Sequence, residues 1–120
     1  MIHERYVNVE VAQILRDKGF DEPCRSYYLN YGKRYSRCAV EITNKDLTSD
    51  QLLRPTQAMV CAWLRTKEID IVVFHEKLPE SCYWARIEKY PYVEHQQEPE
   101  YETYEDCLDA AIEYVVKNLI

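Results

Sequence analysis

Three histidines (His3, His75, His95) and five cysteines (Cys24, Cys38, Cys61, Cys82, Cys107) are the side chains in this sequence best suited to nucleophilic, acid–base or metal chemistry. A nucleophile needs a base within hydrogen-bond reach, and a zinc site normally draws ligands from close pairs such as CxxC or HxxxH. Neither kind of pair occurs, and GxSxG, HExxH and Walker motifs are also absent. One assembly is left to weigh, a hydrolase or transferase centred on His75 and Cys82, because His75 sits where the apolar run IDIVVFH ends. A metal built from His75, Cys82 and a distant cysteine has no close ligand pair to start from, so neither metal nor cofactor is expected. An odd set of widely spread cysteines reads as free thiols in a reducing compartment, most of them small core residues. With only two glycines, no loop can wrap a phosphate closely, and a nucleotide-binding loop is excluded.

A second chemistry is binding. Residues 24 to 38, CRSYYLNYGKRYSRC, carry four basic residues, four tyrosines and no acid inside a chain of net charge -6. Arg25, Lys33, Arg34, Tyr35 and Arg37 are the candidate binding residues, since cations hold phosphates or carboxylates while tyrosine rings stack on bases or cover partner surface. Residues 1–60 hold nine basic and eight acidic side chains, whereas residues 61–120 hold six and thirteen. From residue 94 to 106 there are six acids and no base, and EHQQEPE reads as an exposed loop able to dock a basic partner. Strand alternation sends neighbouring residues to opposite faces, and an acidic chain repels a polyanion at long range. A protein partner or a second copy is therefore favoured, and a single-stranded nucleic acid on the hairpin is the alternative. The Trp63-Leu64-Arg65 helix end lacks the Lys and Arg cluster of a DNA-reading helix and reads as core.

These residues need elements to position them. NVEVAQILRDKGF predicts a first helix capped by Asn8 and stopped at Gly19, with Phe20 folding back onto its last turn. Residues 27 to 31 and 35 to 43 predict a hairpin around Gly32. NKDLTSDQLLRP reads as a polar connector into a helix that Thr56 caps, with Met59, Val60, Trp63 and Leu64 on one face. Residues 69 to 75 form a β-branched run expected as a central strand buried on both faces, and 81 to 90 alternate as the next strand. Thr103, with Asp106 three residues on, opens a last helix whose stripe is Tyr104, Leu108, Ala111, Ile112, Val115 and Leu119.

The blocks VAQILRDKGFDEPC, RPTQAMVCAWLR and TYEDCLDAAIEYVV resemble a group of small prophage and mobile-element proteins of Bacteroides-type gut bacteria. The resemblance rests on a leading helix ending in Gly-Phe, a Pro-Thr helix start closing in Trp-Leu-Arg, and a Tyr-Glu pair opening the last helix. It implies a phage-related protein of α+β type and carries no activity.

The sequence thus predicts one domain over residues 1–120, of α+β class, with three helices on a small antiparallel sheet of three to four strands in the order α-β-β-α-β-β-α. No apolar run approaches the ~20 residues of a membrane span, and MIHERYVNVE is charged where a signal peptide is apolar, so a cytoplasmic location is expected. The expected role is non-enzymatic: a protein-binding or self-associating accessory module.

Overall fold

A computed structural model describes residues 4–120, and His3 lies outside the described residues. The α+β class and the order α-β-β-α-β-β-α are observed, with two strands added. The chain runs α1 (Val9–Asp17), β1 (Cys24–Leu29), β2 (Arg34–Ile42), a 3-10 turn (Asn44–Asp46), β3 (Leu52–Leu53), α2 (Gln57–Arg65), β4 (Ile69–Glu76), β5 (Cys82–Lys89), β6 (Tyr92–Gln96) and α3 (Tyr104–Asn118). In place of one sheet of three to four strands there are two antiparallel three-stranded sheets, β2-β1-β3 and β4-β5-β6. The chain divides into two compact units, residues 1–59 and 60–120.

In the first unit, the Asn8 side chain accepts a hydrogen bond from Val11 N at 2.9 Å, satisfying one of the free N–H groups that open α1. Gly19, at φ +93, ends the helix, and Phe20 N returns to Leu15 O at 2.9 Å. Phe20, Val11 and Leu15 are buried, and α1 packs on β3. The short β3 lies within the expected polar connector: Leu52 and Leu53 pair with Tyr28 and Tyr27 and are buried. Two residues are too few to show alternation.

In the second unit, α3 lays Cys107, Leu108, Ala111, Ile112, Val115 and Val116 against β4 and β5, where Ile69, Ala85 and Ile87 are buried. Each Leu, Ile or Val of this layer is worth about 1.5–3 kcal/mol when removed from water. The 69-to-75 run is an edge strand, since β5 is central. Val72 and Phe74 are only half-buried. Periodicity reads continuous apolar character as double burial, but here the second face is covered by ring stacking: Phe74 lies on Trp84 at 4.4 Å. The expected exposed loop after residue 94 is also corrected. It continues β6 to Gln96, and Gln97 is buried as a polar plug. Its Oε1 accepts from Ala85 N at 2.8 Å and its Nε2 donates to Cys107 O at 3.2 Å. Glu98, Glu100 and Glu102 do stay exposed.

Candidate functional site

The tyrosine-rich hairpin is built by β1 and β2, whose register pairs Ser26 with Arg37, Tyr27 with Ser36, Tyr28 with Tyr35 and Leu29 with Arg34. Directly paired residues share a face, and the face alternates along each strand. Ser26, Tyr28, Tyr35 and Arg37 therefore stand on one face, and Arg34 stands on the other with Leu29. Lys33 lies in the connecting turn. Arg25 is exposed at the irregularity between Cys24 and Ser26. The five candidate residues do not form one patch: Tyr35 and Arg37 are together, Lys33 and Arg34 sit at the tip, and Arg25 stands apart.

Arg54, which the sequence reading passed over, organises the Tyr35 face. Its backbone N bonds to Ser26 O at 3.0 Å, which continues β3 alongside β1 and sets its side chain on the same face as Tyr28 and Tyr35. Its guanidinium lies 3.8 Å from the ring centre of Tyr6 and 3.8 Å from that of Tyr35, with Tyr28 at 5.5 Å. Nη1 donates to Ser26 Oγ at 3.2 Å, and Ser26 Oγ in turn donates to Ser36 O at 2.9 Å. The Tyr28 hydroxyl donates to Val7 O, tying the hairpin to the chain entering α1. The Nε of Arg54 is buried without an acceptor, a cost of about 1–3 kcal/mol. Two ring faces on a partly desolvated guanidinium return about 1–2 kcal/mol each, which offsets that cost. The stack thus holds Arg54 as a structural cation, with both of its flat faces occupied. The only sequence signal was RP at residues 54 and 55 beside the polar connector, and nothing in it announced three tyrosines from elsewhere.

Arg25 and Arg54 line a cavity of about 240 Å³ together with Tyr6 and Ser26, but Glu4 and Glu41 line it too. Two cations and two carboxylates leave it without net preference for an anion. Tyr35 keeps 56% of its surface exposed beside Arg37.

The tip is fixed. Asn30 and Tyr31 both have positive φ, 53° and 55°, and Gly32 follows at 86°. A Cβ on Gly32 would meet Val9 Cγ2 at 2.3 Å, so the turn rests on the first residue of α1. Tyr31 N is anchored to Asp50 O at 3.1 Å, while the Tyr31 ring is 78% exposed.

The groups weighed for catalysis are separated. His75 pairs with Tyr83 and Cys82 with Glu76 in adjacent register positions, which places the histidine and the thiol on opposite faces of the sheet. His75 stacks on the Tyr83 ring at 4.2 Å, and its Nε2 shares a 2.7 Å hydrogen bond with Ser81 Oγ on the exposed surface. His95 stacks on Tyr114 at 3.9 Å. Burial pushes the Cys24 thiol up to about 12, helped by Glu22, Asp21 and Glu41, and pushes Cys61 and Cys107 up to about 11. Those three are held as thiols, the poorly nucleophilic form. Among the described residues no group of three His, Cys, Asp or Glu side chains is arranged to hold a metal ion, and no helix is long and apolar enough to cross a membrane. No family model, curated protein or solved structure matches the chain.

Proposed function

We propose that the chain is a cytoplasmic accessory protein of phage or mobile-element type that performs no chemistry and works by binding protein, in the first instance a second copy of itself. The observation that carries this reading is the identity of the exposed apolar surface. Of the eight large hydrophobic side chains exposed among the described residues, five are tyrosines: Tyr31, Tyr35, Tyr90, Tyr92 and Tyr104. Tyrosine combines a large apolar face with a hydroxyl that remains hydrogen-bonded in water, so it can be covered and uncovered at low cost, and it is enriched in interfaces. The charges support the same reading, since the second unit is acidic and the first is nearly balanced, with four of its nine cations in residues 24–38.

Single-stranded nucleic acid on the hairpin is the alternative, and the side-by-side placement of Tyr35 and Arg37 favours it. The division of Lys33, Arg34 and Arg37 between tip and face, and the stacking of Arg54 between rings, weigh against a continuous phosphate track.

Sedimentation velocity of the full chain at about 0.05 M and about 0.5 M salt, where the Debye length falls from about 14 Å to about 4 Å, tests the first reading. The expected result is a dimer or larger species at low salt that shifts toward monomer at high salt. A monomer under both conditions overturns self-association. Retention of an oligonucleotide at low salt that is lost on Arg34→Glu with Arg37→Glu would establish the alternative in its place.

A further inference from the structure

The second unit holds a cleft that neither the hairpin nor the thiols and histidines touch. It has a volume of about 490 Å³, within the range of ligand pockets, and is lined by Glu68, Asp70, Arg86, Glu88, Tyr90 and Tyr92 among others. Arg86 Nε is already bonded to Glu88 at 2.8 Å. The carboxylates of Glu68 and Asp70 have no ion pair among the described residues, and the rings of Tyr90 and Tyr92 are 81% and 70% exposed.

Two local arrangements here cost stability. Glu68 follows α2 at φ +63, a left-handed position that glycine fills at helix ends and that a side chain occupies at a cost of about 1 kcal/mol. Asp70 lies directly opposite Glu88 in the β4–β5 register, a like-charge pair that disfavours the strands' association. Departures from local consistency concentrate where a site serves a partner, and both of these involve carboxylates that line the cleft with Tyr90 and Tyr92. A cation entering the cleft relieves the repulsion between Asp70 and Glu88.

The tip of the hairpin has the opposite set. Tyr31, Lys33 and Arg34 are exposed, the two cations have no ion pair among the described residues, and the turn is held rigid by Gly32 on Val9 and Tyr31 N on Asp50 O. It too holds a side chain in the left-handed region, at Tyr31. A rigid tip loses little freedom on docking, so most of its contact energy survives as affinity.

We propose that the Glu68–Asp70 cleft of one copy receives the Tyr31–Lys33–Arg34 tip of another, with Lys33 or Arg34 between the carboxylates and Tyr31 against Tyr90 and Tyr92. This assignment rests on the self-association reading and adds its seat and its occupant.

The test uses the full chain in sedimentation at low salt. Glu68→Gly with Asp70→Asn removes both charges while suiting the left-handed backbone and easing the like-charge pair, so the variant folds at least as well as the parent. Its dissociation constant rises about tenfold or more, the size expected for loss of a paired charge cluster that is partly desolvated. Lys33→Glu with Arg34→Glu has the same effect. Joining that pair in one chain with Glu68→Lys and Asp70→Lys restores association to within about threefold. If the parent is monomeric, both this assignment and the self-association reading fall. If the parent associates and Glu68→Gly with Asp70→Asn associates equally well, the cleft is not the seat and self-association stands. If each pair weakens association but the exchange does not restore it, the tip is not the occupant.

Discussion

The two units set a polar side chain against a small antiparallel sheet in opposite ways. In residues 1–59 the group is a cation, Arg54, satisfied through ring faces and one hydroxyl, with its Nε left unpaired. In residues 60–120 it is a neutral amide, Gln97, whose oxygen and nitrogen both find backbone partners. The first arrangement depends on residues distant in sequence, Tyr6, Tyr28 and Tyr35, that no local pattern links. In the second, Gln97 Oε1 takes the place of a strand carbonyl at Ala85 N, and Nε2 donates to Cys107 O in the first turn of α3. The contrast extends to the surface, where the first unit offers cations on a rigid tip and the second offers carboxylates in a cleft.

The largest expected effect is on the tip. Gly32→Ala meets Val9 at 2.3 Å and needs a left-handed backbone, and should destabilise the chain by about 2–4 kcal/mol in urea unfolding. Gly19→Ala has the same backbone demand but open space around it, and should cost only about 1 kcal/mol. Equal losses would show that Val9 does not support the turn.

Next comes the plug. Gln97→Leu leaves Ala85 N unpaired in the interior and removes the side-chain bond to Cys107 O, at a cost of about 1–3 kcal/mol. Arg54→Lys keeps the charge but loses the flat stack on Tyr6 and Tyr35, and costs about 1 kcal/mol. If Arg54→Lys proved the more damaging, the order of the two polar devices would be reversed.

The smallest effect is in alkali. The folded thiols of Cys24, Cys61 and Cys107 ionise at about 11 to 12 against an ordinary 9.0. A raised folded value means that the native state holds its proton more tightly. This contribution to stability is therefore complete below pH 9.0 and is lost as pH rises toward 11 to 12. Cys24→Ala should flatten the alkaline fall of the urea midpoint in part, and Cys61→Ala with Cys107→Ala should flatten it further, because the second unit holds two of the three. An unchanged slope in both variants would remove the thiols from the account.

Caps and helix stripes were legible because they are local: Asn8, Gly19, Thr56 and Thr103 act on atoms within four residues, and the stripe from Leu108 to Val115 has helical period. The hairpin was legible because β2 alternates and Gly32 marks its turn. β3 was not, being two leucines in a polar segment, and neither was β6, whose YVEHQ sequence reads as loop. β4 appeared central because its apolar run is continuous, when its second face is closed by Trp84 stacking on Phe74. The candidate residues of the hairpin were named from composition, but their division between faces, and the place of Arg54 among them, depend on register and on Tyr6. The cleft was invisible for a related reason: Glu68, Asp70, Tyr90 and Tyr92 come from a helix end, two strands and a turn, and none of them is unusual until the fold brings them together.

Zero-length carbodiimide cross-linking of a mixture of unlabelled and 15N-labelled chains shows whether the tip and the cleft meet between copies, because the isotope content of each linked peptide reports whether it joined two copies. If the tip of one copy sits in the cleft of another, mixed-isotope peptides link Lys33 to Glu68 or Asp70 at low salt and are lost at high salt. Links from Lys33 to Glu68 or Asp70 that are only same-isotope, or mixed-isotope links that leave the cleft out, would contradict it.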